Sequence, residues 1–294
     1  MGATAGKIAK IILEEERRGA LDLSSYRASN AGYPQRLREL SAKGHHPAHA
    51  ALIYAQNFAS VITEQISDRN ALRQFTEIVD KAQDDYQPGF PPLSPLTNSH
   101  FTSWAFFDVL FGRSRETIGA CLLRLAEVSP LPSVLVDAIG ALQQSRLGFY
   151  AHEGIEGDFI RFREIGGDGV KLCLATSGFT GARGQIWFGR LVPATNAPEP
   201  FHVLFTTPYV LVQTRESEIA AYLKREVERL NGRQLPPGMD ARDFLLKHGP
   251  TPNHWNEYIF CAYSNFRSDA VFIKGVPDDR ASLPHGELMR VARR

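Results

Sequence analysis

The sequence predicts an α+β fold: a small, strongly bent antiparallel sheet or partial barrel at about residues 148–213, joined by a late strand at 269–275 and packed among α-helices. Three observations predict it. Strand character is confined to one long run, with helical periodicity on both sides. Apolar residues alternate at period two within that run. Glycine clusters suited to tight turns separate the alternating segments.

The strands are read at Gly148–His152, Asp158–Ile165, Val170–Ala175, Gln185–Val192, Phe201–Thr207 and Tyr209–Val212. In Phe159-Ile160-Arg161-Phe162-Arg163, Ile160 and Phe162 share one face while the two arginines point the other way. Ile186 and Phe188 oppose Trp187 in the same manner. The run Gly166-Gly167-Asp168-Gly169 supplies positive-φ positions for a hairpin. Short hairpin-linked strands leave open edges unless the sheet curls, which is the reason to expect a bent sheet or partial barrel.

Helices are expected at Thr4–Arg18 and from Pro47 to Ile66, where Leu52, Ala55, Ala59 and Ile62 form one face. His45, His46 and His49 stand at the start of the second and read as polar surface rather than a metal site, because Pro47 breaks the register that would pair His45 with His49. The Gly2–Lys7 spacing falls one residue short of a phosphate loop and has no preceding strand. Ser67 is expected to cap a helix over Asp68–Tyr86, whose Glu77, Asp80 and Asp84 lie opposite the apolar stripe and therefore face solvent.

The proline-rich run 87–95 suggests a boundary between a helical region, 1–90, and an α+β domain with a barrel-like sheet, 91–294. Beyond it come a very apolar helix at Phe101–Phe111 and amphipathic helices at Arg115–Glu127 and Pro132–Gln144. After the strands follow helices at Thr214–Leu230, Asp240–Lys247 and Thr251–Tyr263.

Composition bounds the function. The chain has 294 residues, 43% hydrophobic and 22% charged, an ordinary globular balance. No apolar run approaches the ~18 residues of a membrane span, and the N-terminal region lacks a signal-peptide core. Cys121, Cys173 and Cys261 are widely separated in apolar surroundings and read as buried free thiols, in keeping with a cytoplasmic protein. Residues 1–90 carry 11 basic and 11 acidic side chains, so no basic excess points to nucleic acid. No cofactor and no metal site is expected, and no membrane association.

Two groups of residues are candidates for chemistry. His254, Glu257 and Cys261, with Tyr258, lie within about 100° of arc on the last helix. His254 and Glu257 would form an acid–base pair, with Asp278 or Asp279 after the late strand as a further carboxylate. The plainer reading is a His–Glu hydrogen bond at the edge of the core. The loop Gly178-Phe179-Thr180-Gly181-Ala182-Arg183-Gly184 offers Gly181, Arg183 and the following Trp187 as a ligand-binding set, since its amides could cradle an anion. It leads into a strand rather than a helix, which favours an ordinary hairpin. His285 has no partner by spacing, and no Gly-x-Ser-x-Gly elbow is present.

Four segments resemble signatures that recur in a set of uncharacterised bacterial proteins: Ser94-Pro-Leu-Thr97 leading into Trp104, Gly181-x-x-Gly184-x-x-Trp187, Thr206-Thr-Pro-Tyr209 and His254-Trp-Asn-Glu-Tyr258. The resemblance spans roughly residues 94–285. The strand segment is also similar to the small β-module that precedes the metal-binding motif of SEC-C-type proteins. The cysteines of that motif are absent here, so no metal site carries over. The resemblance implies a bacterial cytoplasmic origin and brings no activity with it. The leading expectation is a non-catalytic protein that presents a sheet and loop surface to a protein or small-molecule partner. The alternative is a hydrolase-type enzyme, possibly metal-dependent, using His254, Glu257 and Asp278 or Asp279.

Overall fold

The alternating segments wind into a closed barrel. A computed structural model describes residues 2–27, 35–86, 95–195, 197, 199–266 and 269–277. Its strands are β1 (Arg146–Glu156), β2 (Phe159–Glu164), β3 (Val170–Ala175), β4 (Ile186–Pro193), β5 (His202–Leu204), β6 (Tyr209–Val212), β7 (Tyr263–Phe266) and β8 (Val271–Lys274). They form one sheet in the order β1-β2-β3-β5-β4-β6-β8-β7, and an added β1–β4 pairing closes the first five into a barrel. The strand β1 serves two neighbours. Its first half pairs with β4 (Arg146↔Leu191 to Ala151↔Ile186) and its second with β2 (Tyr150↔Glu164 to Glu156↔Phe159), with a register break between His152 and Gly154. Such a break bends a strand and lets it turn the corner of a small barrel.

The sheet is therefore closed rather than partial. It is also not purely antiparallel, since β3–β5 and β6–β8 run parallel. Parallel neighbours need a long connection between them, and the loop at 176–185 together with β4 supplies it for the first pair.

The helices are α1 (Ala3–Arg17), α2 (Ser24–Arg27), α3 (Gln35–Ala42), α4 (Pro47–Gln65), α5 (Arg73–Tyr86), α6 (Pro95–Phe107), α7 (Ile118–Val128), α8 (Ser133–Gln144), α9 (Glu216–Arg229), α10 (Ala241–His248) and α11 (His254–Ala262). Two differences from the sequence reading have local causes. Ser67 donates its hydroxyl to the Glu64 carbonyl at 2.8 Å, finishing α4 instead of capping the next helix, so α5 starts at Arg73. The N-cap of α9 is Arg215, whose N–H is taken by the Glu218 carboxylate at 2.6 Å, while the Thr214 hydroxyl turns to the Val212 carbonyl.

The chain divides into two compact units by its contacts. One holds Met1–Asp80, Thr102–Ser145 and Val192–Pro200; the other holds Lys81–Phe101, Arg146–Leu191 and Phe201–Arg294. The apolar stripes of α7 (Ile118, Cys121, Leu122, Leu125) and α8 (Leu135, Ile139, Leu142) find their cover on the N-terminal helices, with α7 against α1 and α8 against α4. In the same unit the Gly2 and Ala5 N–H groups donate to the Glu116 carboxylate at 2.7 and 3.0 Å, so the amides of the glycine-rich start are already engaged.

The barrel has apolar layers inside and out. Inside lie Tyr150, Ile160, Phe162, Cys173, Trp187, Leu191 and Leu204. Outside, the ladder partners Phe149 and Phe188, 4.7 Å apart, meet Tyr222 of α9, Trp255 and Tyr258 of α11 and His100 of α6. The three cysteines are free and buried. The acidic stripe of Glu77, Asp80 and Asp84 is exposed. Among the described residues no helix is long and apolar enough to cross a membrane.

Candidate functional site

The two ends of the barrel differ in chemistry. At one end the 176–185 loop folds over the opening. Phe179 stacks on Trp187 with centroids 5.3 Å apart, and His152 Nε2 lies 2.9 Å from the Thr180 carbonyl oxygen. Gln185 Oε1 accepts from both Trp187 Nε1 (3.1 Å) and the Ala182 N–H (3.0 Å). Gly181 sits at φ +63°, and a Cβ there would fall inside the indole of Trp187. Of the three residues proposed from the loop as a ligand set, Trp187 is thus inside the barrel at 1% exposure, Gly181 lies against it, and Arg183 is exposed.

At the other end the inward positions become polar on four strands at once. Period two carries the inward face from Tyr150 back to Gly148 and Arg146 on β1, from Phe162 to Glu164 on β2, from Cys173 to Lys171 on β3, and from Leu204 to His202 on β5. Gly148 leaves room for Tyr150, since a Cβ there would collide with the phenol ring. Glu164 is the hub, 5% exposed, with Arg146 Nη1 at 2.6 Å, Arg242 Nη2 at 2.9 Å and Lys171 Nζ at 3.4 Å. Arg242 also reaches the Ile165 carbonyl at 3.2 Å, and Arg146 Nε donates to Asp243 at 2.7 Å. Both partners sit on α10, whose first turn is fixed by Asp240 accepting from the Asp243 N–H.

This mouth holds three cationic side chains against two carboxylates. Burial alone would lift the Glu164 carboxyl, yet the neighbouring Arg146, Lys171 and Arg242 pull it below its usual range. The Tyr150 phenol is pushed up by burial and then by Glu164. His202 is held neutral, lowered to about 4 by burial and then by Lys171. Lys171 is the most accessible of the three cations at this mouth, with 30% of its side chain exposed against 23% for Arg242 and 18% for Arg146.

The residues proposed on α11 have a different setting. His254 is 5% exposed, and its Nε2 lies 3.1 Å from the Tyr222 hydroxyl oxygen. Glu257 is half-buried and Cys261 buried. Tyr258 donates its hydroxyl to the Gly275 carbonyl at 3.0 Å, tying α11 to the end of β8. Asp278, Asp279 and His285 lie outside the described residues. Among the described residues no group of three His, Cys, Asp or Glu side chains has the arrangement of a metal site.

Acid should destabilise the fold through its buried imidazoles. His100 is lowered to about 3 by burial and then Arg190, while His49 and His202 are each lowered to about 4 with burial as the main cause. Each is depressed relative to the unfolded chain, so the unfolded state takes up protons first. Their contribution is complete above pH 6.5, shrinks as the pH falls below it, and is exhausted only near 4 to 3. His100 alone gives a slope approaching ~1.4 kcal/mol per pH unit. Urea melts from pH 7.5 to 4.5 are the measurement. His100→Gln should flatten the curve, and an equal slope in wild type and variant would contradict the assignment.

No family model matches the chain, and neither a curated protein nor a solved structure shows significant similarity to it.

Proposed function

We propose that this chain is a non-catalytic, cytoplasmic binding protein whose charged barrel mouth receives a small anionic molecule. The observation that carries the proposal is the convergence of Arg146, Glu164, Lys171 and His202 from four strands at one end, with Arg242 on the rim. An anion entering there meets a net positive group of side chains. It would bind Lys171 first, whose contact to Glu164 is the longest of the set at 3.4 Å. A neutral His202 beside it adds a donor without a second charge to desolvate. The balanced overall charge speaks against nucleic acid as the partner. The hydrolase reading has less support, because His254 is buried and shares its Nε2 with Tyr222.

Thermal melts with phosphate, sulfate, mono- and dicarboxylates and mononucleotides test the reading. A ligand at one hundred times its Kd stabilises by ~2.7 kcal/mol. At ~2–4 °C per kcal/mol this is a readable shift. It should fall with added sodium chloride, vanish in Lys171→Met and persist in Lys274→Met, which removes an exposed lysine elsewhere. A panel without any shift, or one unchanged in Lys171→Met, would refute the proposal.

A further inference from the structure

Beneath the charged rim of the barrel mouth, one buried donor points toward the opening. Tyr150 is 2% exposed, and its ring lies along β1 over Gly148: a Cβ on that glycine would fall 2.4 Å from the hydroxyl oxygen and 2.5 Å from Cζ. Gly148 is the next inward position toward Arg146, so the hydroxyl ends on the mouth side of the phenol. Across the β1–β2 ladder Tyr150 stands opposite Glu164. That carboxylate holds Lys171 Nζ on Oε2 at 3.4 Å, and Arg146 and Arg242 on Oε1. Among the described residues no protein group accepts from the Tyr150 hydroxyl, while its ring packs on Phe162 at 5.8 Å. A buried phenol ordinarily finds a hydrogen-bond partner, and this one faces the mouth.

We propose that the anion received by this mouth is the carboxylate of a small monocarboxylic acid, one oxygen on Lys171 Nζ and the other on the Tyr150 hydroxyl. The assignment rests on the anion-binding reading of the same mouth and narrows it to one class of ligand. Charge selects that class. Three cations against two carboxylates leave the mouth one positive charge in excess. A carboxylate cancels it. A phosphate monoester, largely dianionic at neutral pH, would turn the partly buried group net negative, and an uncompensated charge is costly there. Shape selects further. A barrel closed from five strands is narrow, and Tyr150, Ile160 and Phe162 fill it below the mouth. The anionic group therefore enters end-on, with its substituent toward solvent. A carboxylate carries one substituent; a phosphodiester, also a monoanion, carries two. The phenol adds a neutral donor, which leaves the charge balance untouched. Arg146 and Arg242 keep their shorter contacts to Glu164, at 2.6 and 2.9 Å, while Lys171 turns to the ligand.

The test is a set of thermal melts of the full chain at pH 8 and constant ionic strength with acetate, butyrate or methyl phosphate, repeated in Tyr150→Phe. Acetate and butyrate should raise the melting temperature of the wild type, and methyl phosphate should bind more weakly than either. Tyr150→Phe should melt like the wild type without ligand, because the lost hydroxyl bonds to no protein group. It should bind the carboxylates on the order of 10- to 100-fold more weakly, the worth of a hydrogen bond to a charged group. Methyl phosphate bound as tightly as acetate, or carboxylate affinity unchanged in Tyr150→Phe, would overturn the assignment while leaving an anion site at the mouth. A Tyr150→Phe chain that melts well below the wild type would overturn it as well, since the hydroxyl would then be a structural donor. No response to any of the three anions would remove the anion-binding reading and this one together.

Discussion

Replacing Trp187 with alanine is expected to destabilise the protein by ~3–5 kcal/mol, the range for removing a large aromatic side chain from a core. Trp187 fills the centre of the barrel, with Phe162 at 5.2 Å, Phe179 stacked at 5.3 Å and His152 at 5.8 Å. Barrel walls held by hydrogen-bonded strands cannot collapse onto the vacancy, so most of the lost contact goes unrecovered. The plug loses its seat as well, because both Phe179 and the backbone of Gly181 rest on the indole. Urea denaturation at pH 7.5 is the measurement, with Trp187→Phe expected between wild type and alanine. A loss below ~1 kcal/mol, the level of an ordinary surface change, would mean that the barrel interior is not a stabilising core.

A loss of similar size is expected for Glu164→Ala, by a different route. The carboxylate holds Arg146, Arg242 and Lys171, and its removal leaves partly buried cations facing one another. Breaking a buried ion pair from one side costs ~3–5 kcal/mol. Reversal of the effect identifies the mechanism. Adding Arg146→Met to Glu164→Ala should restore part of the loss, since one uncompensated charge is then gone. Additive losses in the double variant would show instead that Glu164 acts through packing. The pH dependence carries the same signature. Glu164 is depressed in the folded state, so its contribution is present above its unfolded value of 4.5 and lost as the pH falls through the lower folded value. The alanine variant should lack that part of the acid limb.

The legible parts of the fold were those encoded locally. Phe159 to Arg163 alternate visibly, and β2 and β3 appear where the alternation places them. Asp240 and Gly249 bracket α10 as a capping residue and a left-handed terminator should, the glycine at φ 66°. What stayed hidden depends on distant pairs. Nothing near Arg146 reveals that it faces Leu191 across the closing seam, or that Cys173 runs parallel to His202. The barrel mouth was missed for that reason. Its residues alternate correctly with the apolar ones, but their common end emerges only once the register is known. An inward Lys171 or Glu164, read against Cys173 and Phe162, was the available signal. The proline break argues against a His45–His49 pair, yet their rings lie 5.2 Å apart, a proximity that depends on the backbone of His46 and that spacing alone does not show.

Both compact units are assembled from stretches far apart in the chain, and this sets the order in which the protein can form during synthesis. Helix α4 ends at Gln65, while α8, which covers it, ends at Gln144. At ~5–20 residues per second, the apolar face of Leu52, Ala55 and Ile62 therefore waits several seconds for its partner. The barrel seam can close once β4 has left the ribosome, yet the parallel seam with β3 needs β5, and β6 gains its outer neighbour only with Val271–Lys274. Neither unit is finished until a late segment returns to it. Folding is thereby weighted toward the end of translation, when the sequence-distant pairings that set contact order can first form.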